Sequence, residues 1–338
     1  MSDGHLHVEA ALHATTILSP TRFSWFGRPV SQLPATVRRA LGPRAARDYL
    51  QFRLQSTLYA NLYCHGSATP GYGHIADGLG PARATTPLVT ALSEANTGRG
   101  CWQSGWEVQA IDEDAIVACR GGLTIWLQHD ECAIAHGAAL KPGVRLSVRL
   151  PKEMRGLSPG FYMALGDNDV DDESSEGAVV RFYWHLTPIS AVPFVGRTIS
   201  LLNQAALPFR LKVLNDPIRF NRCDAGVVYV RKRDYAPAAE LLCEVYRGIA
   251  SDLLTPTPVF SKRMAPGLGL AEDPGEGASF GEDRCRLLAD GFIRAYERGR
   301  RSVADRLEAV ADRFVEAGLR LDQPFLNAGS HDTYEWPA

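Results

Sequence analysis

None of the seven cysteines in this 338-residue chain, Cys64, Cys101, Cys119, Cys132, Cys223, Cys243 and Cys285, falls in a CxxC pair, and their number is odd. That spacing excludes a zinc ribbon and argues against a disulfide framework. The expected compartment is the reducing cytoplasm. No apolar run reaches the roughly 18 residues that a membrane span requires. The first residues, Met1-Ser2-Asp3-Gly4-His5, lack the basic and apolar regions of a signal peptide. Neither sign of charge is in excess: 36 Lys and Arg face 38 Asp and Glu, for a net charge of −2. A globally basic binder of nucleic acid or of an anionic membrane is thereby disfavoured. Phosphate-loop, HExxH and GxSxG signatures are missing as well. Gly267-Leu268-Gly269 does not extend to a full GxGxxG, so a dinucleotide site is not expected. Nothing in the sequence requires a metal or an organic cofactor.

What is present is the balance of a folded protein, with 45% hydrophobic and 22% charged residues. The length suits two domains or one large one. The first thirty residues show weak periodicity and read as an irregular arm. Leu50, Leu54, Leu58 and Leu62 recur every four residues and predict a buried helix ending near Gly66. A long loop at 66–86 and a short helix from Pro87 to Asn96 follow. Runs of β-branched and aromatic residues at 106–111, 115–119, 123–129 and 144–150, separated by turn signals, predict an antiparallel sheet, with Phe161 to Leu165 as one more strand. Asp167, Asp169, Asp171, Asp172, Glu173 and Glu176 form an acidic run. It lacks the glycine and distal glutamate of a calcium loop and reads best as a solvated connector. Beyond it, strands are expected at 179–186, 209–214 and 226–231. Helices are expected at 195–206, 236–254, 284–299 and 302–319, and a Gly/Pro-dense loop at 255–281. Partly segregated strands and helices predict an α+β fold: antiparallel sheets flanked by helices. The chain divides on this reading into an N-terminal helical and β-sheet region at 1–165, a core at 177–320 and a tail at 321–338.

Seven basic residues lie between Arg210 and Arg233, opposed only by Asp216 and Asp224. If 209–214 is a strand, Arg210 and Lys212 share a face. In the strand at 179–186, Arg181, Tyr183 and His185 share one. Two neighbouring strands of this kind would present Arg, Tyr, His, Arg and Lys to one cleft, which suits an oxyanion such as phosphate. The competing reading is two solvated sheet faces. Ser279 or Asp283 is a candidate cap for the following helix, whose N-terminus, with Arg284, forms a second candidate anion site.

Several segments in order resemble the HopA-type effector family: Arg181-Phe182-Tyr183-Trp184-His185-Leu186, Pro208-Phe209-Arg210-Leu211-Lys212-Val213, Arg222-Cys223-Asp224-Ala225-Gly226-Val227-Val228-Tyr229, Ala265 to Pro274, and Ser279-Phe280-Gly281-Glu282-Asp283-Arg284. Leu92 to Trp106 is similar to the family's first half, so the resemblance spans most of residues 45–300. The family includes effectors injected into plants and the lyase partners of kinases in class V lanthipeptide clusters. The order of elements in the second half is also similar to that of the phosphothreonine lyases.

The resemblance implies a phosphoserine/phosphothreonine lyase. Such an enzyme eliminates phosphate from a phosphorylated precursor peptide to leave dehydroalanine or dehydrobutyrine, with a Ser/Thr peptide kinase as partner. It implies Lys212 as the base and Arg222 as a phosphate ligand, and matches Arg284 to a late phosphate-binding arginine. The general acid falls on Tyr183 or His185, where this sequence departs from the lyase pattern. Arg181, Arg210 and Tyr229 complete the expected substrate-binding set. Elimination needs a neutral amine as base, fixed positive charge for phosphate and enolate, and an acid at the leaving oxygen. The alternative function is a non-catalytic effector-like protein or scaffold that binds a phosphopeptide or a kinase. A strand added by a leader peptide to the edge of the 106–150 sheet is a further expectation.

Overall fold

The computed structural model describes residues 3–30, 33–67, 86–112, 115–134, 138–169, 179–275 and 279–337. In chain order the elements are α1 (Asp3–Ala14), β1 (Thr15–Ser19), β2 (Arg22–Trp25), β3 (Arg28–Val30), α2 (Ala35–Ala40), α3 (Pro43–Asn61), α4 (Thr86–Ala95), β4 (Trp102–Ile111), β5 (Ile116–Arg120), β6 (Leu123–Leu127), β7 (Cys132–Ile134), β8 (Arg145–Arg149) and β9 (Phe161–Leu165). There follow β10 (Val179–Trp184), α5 (Pro188–Gln204), β11 (Phe209–Leu214), β12 (Gly226–Arg231), α6 (Tyr235–Ile249), β13 (Lys262–Ala265), β14 (Leu268–Glu272), α7 (Phe280–Glu297) and α8 (Val303–Glu316). The fold is α+β, and the ladders that place the site are antiparallel.

A six-stranded sheet in the order β13-β14-β10-β12-β11-β9 forms the centre. β10, β12 and β14 are buried on both faces, so β10 and β12 carry near-continuous apolar runs rather than a polar alternation. Phe182 and Trp184 lie on one face, where Trp184 meets Phe194 of α5 and Tyr246 of α6. Arg181 and Tyr183 lie on the other face, where Tyr183 meets Tyr63, just past α3, and Phe280 of α7. A five-stranded sheet, β6-β5-β4-β8-β7, encloses a second, smaller core around Trp106, Ile116 and Val148.

Several elements differ from the sequence expectation. The first thirty residues are not an irregular arm: Val8, Ala11 and Leu12 of α1 are buried at helical spacing, and β1–β3 form a small sheet. Their apolar positions are few and interleaved with histidines, which blurs the period. The 255–281 segment contains β13 and β14, and β14 is completely buried. Gly267 takes a left-handed φ of 74° at the tight turn between them. At Gly269, a Cβ would lie 2.5 Å from the Ser261 hydroxyl. Glycine here marks close approach, not a loop. β9 does not join the 106–150 sheet but pairs with β11 at the edge of the central one. Its side chains Leu165 and Met163 nevertheless reach the smaller core, so β9 ties the two together.

Residues 321–337 pack against the central sheet. The Glu272 carboxylate, fully buried on β14, accepts bonds from Lys232 Nζ (2.6 Å), the Tyr334 hydroxyl (2.7 Å) and the Asn327 backbone N–H (2.7 Å). These partners hold its pKa below the usual carboxylate value, against the opposing push of burial. Arg231-Lys232-Arg233 is therefore more than a solvated turn, since Lys232 is a partner of a buried acid. Of the acidic run, Asp167 binds Arg99 and Asp169 binds Gln103. Asp171, Asp172, Glu173 and Glu176 lie outside the described residues.

Candidate active site

The strands at 179–186 and 209–214 are not neighbours. β12 lies between β10 and β11, and its Tyr229 pairs with Arg181 on one side and Arg210 on the other. Paired residues of an antiparallel ladder point to the same face. Arg181, Tyr229 and Arg210 therefore form one transverse row, continued by Leu165 of β9. The next row holds Tyr183, Val227, Lys212 and Met163. The expected charged face exists, with an aromatic strand in its middle.

Two rings organise the cations. The Tyr229 ring has the Arg181 guanidinium 5.3 Å from its centroid, that of Arg210 at 5.8 Å and Lys212 Nζ at 5.6 Å. The Phe161 ring has Lys212 Nζ at 4.6 Å and the Arg222 guanidinium at 5.8 Å. Ring faces attract cations without neutralising them. Like charges are thus brought together around two rings.

Two carboxylates steady this group. Arg222 Nε and Nη2 bind Asp224 at 2.7 and 2.6 Å, and the same Nη2 reaches the Tyr59 hydroxyl at 3.1 Å. Arg222 and Asp224 are both buried. Arg222, and after it Lys212, hold the Asp224 carboxyl below its usual pKa, although burial pushes it up. Arg181 binds Asp273 through Nε at 2.8 Å and Nη2 at 2.7 Å. Lys212 is half-buried and makes no hydrogen bond or ion pair among the described residues; its close partners are the two rings.

The acid candidates sit deeper. Tyr183 is buried against Tyr63 and Phe280. Burial raises its pKa and the neighbouring Arg181 lowers it, with the rise dominant, so the phenol keeps its proton at neutral pH. His185, just past β10, lies 2.9 Å through Nδ1 from the Pro256 carbonyl oxygen, an acceptor, so Nδ1 carries the proton. Burial lowers its pKa, and at neutral pH the ring is uncharged with the Nε2 lone pair free of a proton. His185 therefore rests as an acceptor at Nε2, not as a charged acid. Asp224 and His65 are the charged or titrating groups that most influence it.

Arg284 lies one turn into α7, with its guanidinium over Phe280 at 4.9 Å. Nε donates to Pro324 O at 2.8 Å, Nη2 to Leu326 O at 3.2 Å, and Nη1 pairs with Asp283. It fastens the C-terminal segment and does not join the rings around Lys212. Ser279 occupies the helix N-cap position without a side-chain cap bond, and Asp283 is engaged by Arg284 and Arg286.

Sequence reasoning passed over Asp224, Phe161 and Tyr59. The Arg222-x-Asp224 spacing immediately before β12 was the available signal for the first. The Tyr59 and Tyr63 pair, four apart on the helical repeat and stacked at 5.3 Å, was the signal for the third. Phe161 carried none, because its role depends on β9 pairing with β11.

No curated protein matches the chain. Solved structures that resemble it include two effector proteins. One is the effector protein from Pseudomonas syringae pv. tomato strain DC3000, with a TM-score of 0.43 and 14% identity, over 73% of this chain and 85% of that one. The other is the effector protein from Pseudomonas syringae pv. syringae strain 61, with a TM-score of 0.44 and 16% identity, over 73% and 84%. The model of the HopA1 effector protein family matches residues 153–326, just over half of the chain and the whole of the ring-centred cation group, and the chain belongs to that family.

Proposed function

We propose that this protein is a phosphoserine/phosphothreonine lyase that acts on a phosphorylated precursor peptide in lanthipeptide biosynthesis, after a partner Ser/Thr kinase. The observation that carries the reading is Lys212. It is an amine without an ion pair among the described residues, set between Arg181, Arg210 and Arg222 on two shared rings.

In the reaction, neutral Lys212 Nζ takes the α-proton of the phosphorylated residue. The electron pair of that C–H bond becomes the Cα=Cβ double bond. The Cβ–O bond breaks and phosphate leaves with its electrons. The arginines face the dianion, and their fixed charge lowers the barrier without reorganisation. Arg222, held by Asp224 and Tyr59, is pre-positioned, which removes the entropy cost of ordering a long side chain during the reaction. Tyr183 retains its proton and is the hydrogen-bond donor available to the leaving oxygen. His185 Nε2, unprotonated at rest, is suited to accept.

The test is incubation of the full chain with a phosphothreonine peptide, followed by mass. Loss of phosphoric acid without nucleotide is the expected outcome. Binding without loss, on that peptide and on a kinase-treated cognate precursor, would instead support a non-catalytic phosphopeptide-binding protein.

A further inference from the structure

A cavity of about 430 Å³ opens between the smaller sheet and the β9–β11 edge of the central one. Its walls are mainly apolar: Trp106, Leu123, Ile125, Leu157, Leu165 and Phe209. The polar groups at one side are already engaged with one another. Trp106 Nε1 donates to Gln103 Oε1 at 2.9 Å, Gln103 Nε2 donates to Asp169 Oδ1 at 3.1 Å, and Arg120 lies 3.8 Å from the same carboxylate. A guest here gains by burying apolar surface, not by meeting an unmatched charge.

Arg210 also lines this cavity. It is one of the three cations on the Tyr229 ring, and it stands two residues from Lys212 on the same face of β11. Two strand residues span about 7 Å. The cavity therefore adjoins the candidate active site, with Arg210 as the shared residue. β6, which contributes Leu123 and Ile125, is an edge strand whose only strand partner among the described residues is β5. Its outer edge offers backbone donors and acceptors to an extended segment.

We infer that this cavity seats an aliphatic or aromatic side chain of the phosphopeptide, two to four residues from the phosphorylated one. The inference rests on the lyase reading for its substrate, and it names what that site selects. The spacing follows from an extended peptide rising about 3.3 Å per residue across the 7 Å between Arg210 and Lys212 and on into the cavity. The occupant is a peptide rather than a free phosphate, because the apolar walls give a lone anion nothing.

The experiment scans one leucine along a glycine-rich peptide with a central phosphothreonine. Both kcat/KM for phosphate loss and fluorescence-anisotropy affinity are read at each position. Leucine at one position within two to four residues of the phosphothreonine should raise kcat/KM and affinity about tenfold, as burial of one apolar side chain allows. In Leu157→Asp that preference should fall to near unity. Leu157 and Leu123 are both exposed, so Leu123→Asp is the second variant if the first melts early. Elimination with no positional preference, or with a preference that both variants keep, overturns the pocket and leaves the lyase. A preference in affinity that both variants lose, with no elimination from any peptide, overturns the lyase and keeps the pocket.

Discussion

Lys212 and Arg284 are both cations that the family resemblance ties to the reaction, one as the base and the other as a phosphate ligand, and they live in opposite circumstances. Lys212 touches two rings and has no ion pair among the described residues. Arg284 is almost fully buried, and its donors are taken by Asp283 and by main-chain oxygens of the C-terminal segment. The same charge is available in one place and committed in the other. What separates the cations is where their bonds hold them: the ion pairs of Arg181 and Arg222 leave both beside the rings that Lys212 touches, whereas those of Arg284 turn it to the C-terminal segment.

The sharpest way to break that contrast is Lys212→Ala. Phosphate loss should fall by about 10³-fold, within the range of general-base contributions, while the melting temperature barely moves. A melting shift comparable to that of a core mutant would show that Lys212 is structural after all. Asp224→Ala should do the reverse: it strands buried Arg222, and thermal or urea unfolding should show a loss of about 3–5 kcal/mol. Activity per folded molecule should also drop, as Arg222 loses its positioning. Arg284→Met leaves the Pro324 and Leu326 oxygens without their donor. About 2–3 kcal/mol of stability should disappear in the same assay, with the rate on a saturating phosphopeptide changed little.

The pH dependence separates the same regions more gently. Burial lowers the pKa of His185 and of His65, so the unfolded chain takes up protons first as pH falls through about 6.5. Stability is full above that range and declines below it. A second decline begins near pH 4, where Asp224, Asp290 and Glu272, all held low by cationic or donor partners, would have to be protonated. Melting curves from pH 8 to 2 should show both, and His185→Asn should flatten the first. Smallest of all, Phe161→Leu keeps an apolar side chain but removes one ring from under Lys212 and Arg222. A two- to fivefold loss of kcat/KM is expected from about 0.5–1 kcal/mol of cation–π attraction.

Much of this was legible in the chain. The strands at 209–214 and 226–231 stand where alternation and turn residues put them, because their apolar runs are bounded by proline and glycine. The shared face of Arg181, Tyr183, Arg210 and Lys212 was legible for the same reason. What local pattern lacks is pairing. It does not say that β12 separates β10 from β11, so Tyr229 was one expected substrate contact rather than the ring on which three cations meet. Nor does it say that Leu268 to Glu272 is a central strand, because its glycines imitate a loop. His185 looked like an acid from residue type alone; the Pro256 carbonyl that fixes its tautomer is 71 residues away.

Glu272 gives the fold a timetable. Its carboxylate is buried in β14, yet two of its three partners, Asn327 and Tyr334, come from more than fifty residues downstream. During synthesis, a ribosome adding roughly 5–20 residues per second would leave that acid without those partners for several seconds after β14 emerges. The central sheet has all its strands in hand by then and Lys232 can already meet the carboxylate, but two of its three donors are still missing. Full satisfaction of that buried acid therefore waits for the segment that Arg284 fastens.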